Sequence, residues 1–260
     1  SRREIPEDSA LALGRIVQTG REETPLVDNP YRLDVNDLDR HGLIIGVTGG
    51  GKTNTARGLL TGLLRDFRLP FLIVESAKRE YWQLTGLPGC ENLLLFTLGS
   101  ETPGASIPYR LNPFEAVGGA SLQTHIDSLL STFRAAFELY PPMPYVLETS
   151  VYEVYADRGW DVVTGRNTLG LRDYPTLTDL YHKVTVVTDR LGYHAEAREN
   201  TKAALRARIH SLRIGGKGAM LDTPRSIPIE KLLSSPAVLE LEDLGDDDTR
   251  AFVIGLLLVQ

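Results

Sequence analysis

The sequence predicts an α/β fold, a mainly parallel sheet carrying a helical insertion. Three observations predict it. A strand-like run, a glycine-rich turn, a helix and a second strand succeed one another between His41 and Glu75. Apolar residues then recur at helical spacing from about Ser121 to Gly215, and a strand-like run at Ala237–Leu241 returns the chain to the sheet. With 260 residues, 42% hydrophobic and 24% charged, the chain can bury a sizeable core.

Residues 1–38 are polar and carry Pro6, Pro25 and Pro30, which predicts a lead-in or linker with at most short strands, near Leu11–Val17. His41-Gly42-Leu43-Ile44-Ile45-Gly46-Val47 is short, apolar and β-prone. Beyond the turn, Leu59, Leu60, Leu63 and Leu64 share one face of a helix over Lys52–Asp66. Pro70 precedes a buried strand, Phe71–Val74, closed by Glu75 and Ser76; strand, turn, helix and strand make a βαβ unit of a parallel sheet. A further strand falls at Leu93–Leu98. Leu122, Ile126, Leu129, Leu130, Phe133 and Phe137 mark one later helix, and Leu205, Ile209 and Leu212 another. Between them lie the break Pro141-Pro142-Met143-Pro144 and a Gly/Asp/Arg loop near Asp157–Asp173. The pattern predicts a domain over 39–260 with an insertion at about 118–218. Asp246–Asp248 open the last helix, with acids at its positive end.

The 28 basic and 34 acidic residues leave a formal charge of −6, which argues against a cationic coat for nucleic acid but leaves a local basic channel open. Cys90 is the single cysteine, so the chain has no internal disulfide framework and no cysteine-based zinc site. The five histidines lack HxxxH or HExxH spacing, which excludes a metalloprotease of that kind. The longest apolar run, Ala251–Val259, is too short to span a bilayer, and no signal peptide opens the chain. No integral membrane segment and a reduced, cytoplasmic setting are therefore expected. A start without methionine and an end on an apolar stretch predict a piece of something longer.

Gly46-Val47-Thr48-Gly49-Gly50-Gly51-Lys52-Thr53 fits GxxxxGK[ST], the Walker A phosphate loop. Its glycines let successive N–H groups wrap a polyphosphate, and the helix that follows adds the positive end of its dipole. The expected ligands are ATP, held by Thr48, Gly49, Gly50, Gly51, Lys52, Thr53 and Asn54, and Mg²⁺, held by the Thr53 hydroxyl. Lys52 reaches the β- and γ-phosphates. Glu75 closes a strand at the carboxyl edge of the sheet, where it could assist Mg²⁺ or water; the alternative is a solvated strand-end acid. Glu240 and Glu242 flank Leu241, so alternation puts both on one face, unlike the single acid of a Walker B strand. Arg198, Lys202 and Arg206 recur every fourth residue, with Arg208, Arg213 and Lys217 nearby; they read as a solvated helix face ahead of a phosphate-contacting one. His125, His182, His210, Tyr145, Tyr152 and Tyr155 read as ordinary packing or surface residues.

The stretch Arg40–Thr53 resembles the start of the HerA/FtsK-like motor ATPases, especially HerA helicases and related type IV secretion ATPases. Their loop reads GxTGSGKT, and here Gly50 replaces the serine. Their second strand ends in Asp followed by Gly-Glu-Tyr; this chain has Glu75-Ser76-Ala77-Lys78-Arg79-Glu80-Tyr81. The resemblance covers about residues 38–82, more loosely 225–260. It implies a RecA-like P-loop NTPase core of the additional-strand catalytic Glu type, in a homo-hexameric ring that moves double-stranded DNA. Lys52 and Glu75 are the catalytic candidates of the loop and strand end, and the resemblance adds Arg40, which would supply charge to phosphates. It also puts Walker B and the arginine finger beyond residue 260 and a β-barrel before Ser1, which leaves hydrolysis by this stretch alone in doubt.

Four functions compete. The leading one is ATP-driven DNA translocation or unwinding, with a nuclease or other effector partner in repair or anti-phage defence. The alternative is an ATP-gated oligomeric scaffold for an effector enzyme, without motor activity. A secretion or conjugation motor comes third, and a small-molecule kinase last.

Overall fold

The structure, a computed structural model, describes residues 5–18, 24–76, 79–100, 107–117, 119, 121–170 and 173–259. Its elements in chain order are β1 (Ala10–Gln18), β2 (Thr24–Asp34), α1 (Lys52–Phe67), β3 (Leu72–Glu75), β4 (Leu94–Thr97), β5 (Ile107–Pro108), α2 (Leu122–Ala136) and α3 (Met143–Asp157). They continue with β6 (Trp160–Asp161), β7 (Arg166–Asn167), α4 (Leu177–Arg190), α5 (Ala195–Ser211), α6 (Gly215–Leu221), α7 (Ile229–Leu233), β8 (Ala237–Glu240) and α8 (Asp247–Val259).

The main sheet runs in the order β3-β8-β4-β5. Its direction follows from the hydrogen bonds. Ala237 and Leu241 donate to the Phe71 and Glu75 carbonyls at 2.8 and 2.9 Å, while Leu94 and Leu98 donate to Pro236 and Glu240 at 2.9 and 2.8 Å. Partners advance together along both strands of each pair, so β8 is parallel to β3 and to β4; β5 is parallel to β4. The expected parallel α/β sheet is present. Its inner strand β8 is buried along its whole length, which fits the unbroken apolar run Ala237-Val238-Leu239.

The chain divides into two compact units, Ser1–Ile73 with Arg79–Leu94 and Leu232–Val238, and Val74–Lys78 with Leu95–Lys231 and Leu239–Gln260. In the first unit, the expected lead-in forms an antiparallel hairpin of β1 and β2. The prolines hid β2 from sequence reading, yet both strands of a two-stranded ribbon are edges, where a missing N–H is tolerated. Helix α1 packs on β1 at Gly62: a β-carbon there would stand 2.7 Å from Leu11 Cδ1, and Leu11 is buried.

The run 41–47 departs from expectation. It forms no regular secondary structure, and Leu43, Ile45 and Val47 are 82%, 83% and 80% exposed. A strand needs a neighbour to take up its backbone groups, and among the described residues no strand pairs with this run.

In the second unit, α3 packs against α4, α4 against α5, and α2 against α8. The periodic residues named from sequence are buried: Leu122, Ile126, Leu129, Leu130 and Phe133 in α2 with Phe137 at its end, and Leu205 and Ile209 in α5 with Leu212 just beyond. Phe252 of α8 meets Phe133 with ring centres 4.7 Å apart, and a β-carbon on Gly255 would stand 2.8 Å from Thr132 Cγ2. Ser121 caps α2 by accepting from the Thr124 amide at 3.1 Å, and Thr176 with Asp179 forms a capping box on α4. The expected Gly/Asp/Arg loop holds a small hairpin of β6 and β7. Asn112, fully buried, donates to the Pro175 and Pro224 carbonyls at 3.0 and 3.2 Å and accepts from the Phe114 amide at 2.9 Å, tying three loops together.

Candidate nucleotide-binding site

The loop ahead of α1 takes its shape from glycine. Gly49 and Gly51 sit at φ 77° and 83°, in the left-handed region that other residues adopt at a cost. The Gly50 amide donates to the Val47 carbonyl at 3.0 Å, closing a turn. A β-carbon on Gly50 would stand 3.0 Å from that same carbonyl oxygen, so glycine fits this loop with the least adjustment. Lys52 folds back and donates from Nζ to the Gly46 and Val47 carbonyls, both at 2.9 Å.

The electrostatics favour an anion. The first turn of α1 carries no acidic residue, so the positive end of its dipole is uncompensated. Among the described residues no carboxylate pairs with Lys52. Thr48 and Asn54 are exposed and Thr53 half-buried, all within the loop and the first turn. Thr55, which sequence reading passed over, steadies that turn: its amide and hydroxyl donate to the Gly51 carbonyl at 2.8 and 3.1 Å. A glycine cradle, an ammonium held only by loop carbonyls among the described residues and a helix N-terminus without acids fit a polyphosphate, and the adjacent Thr53 hydroxyl fits a hard cation.

Arg40 closes a short 3-10 turn over Val35–Asp39; its guanidinium is largely exposed, 3.9 Å from the Asp39 carboxylate, an ion pair of little worth in water. Lys52 and Arg40 belong to the first unit, Glu75 to the second. Glu75 ends β3 half-buried, and Glu240 ends the neighbouring β8, 3% exposed. Glu242 is exposed, so the expected shared face of Glu240 and Glu242 is not formed. Leu241 explains this: at φ −104°, ψ 4° it leaves the extended conformation, and alternation stops there.

The basic stretch turns to groups of its own unit. Lys202 meets Asp189 and Glu199 at 2.5 and 3.0 Å, Arg213 meets Asp222 at 3.4 Å, and Lys217 meets Asp246 at 2.9 Å. Arg206 donates to the Tyr181 hydroxyl at 2.6 Å and lies 4.3 Å over its ring. His125 is buried, its Nε2 3.0 Å from the Pro113 carbonyl, and burial lowers its pKa although that bond opposes the shift. Tyr155 is buried and Tyr145 exposed.

Parallel strands, a glycine loop and a lysine opening the next helix define a P-loop nucleotide-binding domain. Residues 11–260 match the family model described as "Helicase HerA, central domain", and the chain belongs to that family of P-loop ATPases. Among solved structures it is similar to VirB4 of Thermoanaerobacter pseudethanolicus, with a TM-score of 0.61 at 20% identity. That similarity covers 98% of this chain but 64% of the VirB4 chain, and at such identity it speaks to the fold. No curated protein matches. Among the described residues, no helix is long and apolar enough to cross a membrane.

Proposed function

We propose that the domain binds Mg²⁺–ATP at Gly46–Thr53 and hydrolyses it as a subunit of a cytoplasmic homo-hexameric ring that moves or unwinds double-stranded DNA. A nuclease or other defence effector is the proposed partner. The observation that carries the reading is Lys52: an ammonium without a carboxylate partner among the described residues, at the mouth of a glycine loop, on a helix whose first turn has no acid. Family membership over 11–260 supports the motor. Residues 39–260 are the proposed ATPase domain, with its insertion at about 118–218.

Each residue has a part in this reading. The Gly49–Thr53 amides and Lys52 bind and orient the phosphates, Thr48 and Asn54 flank them, and Thr53 takes the metal. Bound there, Mg²⁺ would neutralise phosphate charge. Glu75 orients or deprotonates the attacking water, and Arg40 adds positive charge toward phosphate. The test is ATP turnover by the full-length chain with and without double-stranded DNA, beside Lys52→Ala. Turnover stimulated by DNA and abolished in the variant supports the motor. Turnover indifferent to DNA at low salt, or binding without turnover, moves the reading to an ATP-gated scaffold.

A further inference from the structure

Arg57 lies on α1 five residues after Lys52, about 7.5 Å along the helix axis. Its guanidinium donates to Gln83 Oε1 at 2.8 Å and to the Glu80 carbonyl, and stands 5.7 Å from the centre of the Tyr81 ring. Its Nε is buried without a hydrogen-bond partner among the described residues. A surface arginine on a solvated helix face would keep all its N–H groups in water. This one gives up hydration at Nε and places its planar fork against residues 80, 81 and 83 of another segment. The receiving segment is itself anchored. Tyr81–Gly86 is a 3-10 turn with Leu84 fully buried, and the Thr85 hydroxyl donates to the Trp82 carbonyl at 2.7 Å.

We infer that Arg57 is a positioning residue that couples the phosphate-loop helix to residues 80–83, so that a nucleoside triphosphate on the loop also fixes Glu80 and Tyr81. The inference rests on reading Gly46–Thr53 as the nucleotide loop. A helix moves as one body, and phosphates drawn to the first-turn amides order α1 from its N-terminus. Arg57 carries that order across to residues 80–83, which the chain reaches five residues after Glu75. The proposed water-activating acid is thus followed by a segment whose position answers to nucleotide occupancy.

Amide hydrogen exchange of the full chain, with and without Mg²⁺–ATP, tests the coupling. In the wild type, ATP slows exchange several-fold at 46–55 and also at 79–86. Arg57→Ala keeps the protection at 46–55 and loses it at 79–86, Arg57→Lys restores part of it, and Arg65→Ala, exposed on the same helix, behaves as wild type. Thermal melts confirm that each variant is folded, and the lysine variant serves if the alanine one is not. Protection at 46–55 without any at 79–86 in the wild type overturns the coupling, as does transmission that survives Arg57→Ala. Absence of protection at 46–55 in the wild type, with Lys52→Ala indistinguishable, is a different result: it removes the nucleotide reading, and the coupling with it.

Discussion

The Leu241 amide donates to the Glu75 carbonyl at 2.9 Å, and this bond holds the end of β3 level with the end of β8, where Glu240 is buried. Glu75 thus ends its strand at the edge where open parallel sheets bind ligands, half-buried and within reach of solvent. Glu75→Gln keeps the shape and the backbone bond while removing the carboxylate proposed as the base. In the full-length protein, turnover should fall by about a hundredfold with ATP affinity unchanged. Steady-state kinetics beside equilibrium binding of ATP separates the two; a parallel loss of affinity would make Glu75 a ligand-holding residue instead.

Lys52→Ala should separate binding from folding. Among the described residues the ammonium is bonded only to the carbonyls of its own loop, and the loop is exposed. Its removal should leave stability within about 0.5 kcal/mol of wild type while ATP binding is lost. A melt combined with a binding titration decides it. A large drop in melting temperature would mean that the lysine holds the loop's fold.

Two buried tyrosines should answer the same substitution with opposite signs. Tyr155 donates its hydroxyl to the Phe114 carbonyl at 2.6 Å, whereas the buried hydroxyl of Tyr109 has no hydrogen-bond partner among the described residues. Burial alone raises the Tyr109 pKa, since no charge or hydrogen bond offsets it. Tyr155→Phe leaves a buried carbonyl unpaired and should cost about 1–3 kcal/mol. Tyr109→Phe removes an unsatisfied group, keeps the edge-on contact with Phe96 at 5.4 Å, and should be neutral or stabilising by about 1 kcal/mol. Denaturant melts of both variants give the comparison, and equal losses would refute it.

The helices of the second unit were legible because burial there follows the 3.6-residue period: Leu122, Ile126 and Leu129 face inward as spaced. Strand β8 was legible from its unbroken apolar run. What escaped depends on residues distant in sequence or on single torsions. The run 41–47 has strand composition, but composition does not supply a neighbouring strand. The cations of this stretch looked free because several partners lie outside α5: Asp189 for Lys202, Tyr181 for Arg206 and Asp222 for Arg213. Arg57 carried no local signal, its acceptors standing 23 and 26 residues away. One torsion at Leu241 undid the expected pairing of Glu240 with Glu242.

Acid should destabilise the second unit in two steps. His125 is buried with Nε2 on the Pro113 carbonyl, and burial holds its folded pKa below the ordinary value near 6.5. The unfolded chain therefore takes up a proton first as pH falls. The stability that neutral His125 carries is intact above about pH 6.5 and drains away as pH drops toward its folded pKa. Asp246 acts lower. Burial pushes its pKa up, but the Thr249 amide and hydroxyl and the Lys217 ammonium outweigh that and hold it below the usual carboxylate value. Its contribution is present above about pH 4 and lost below, as the cap on α8 is protonated. Melting temperature against pH should thus begin to fall below about 6.5 in wild type, and this limb should flatten in His125→Asn while the loss below about pH 4 remains. A limb unchanged by His125→Asn would assign that proton to another group.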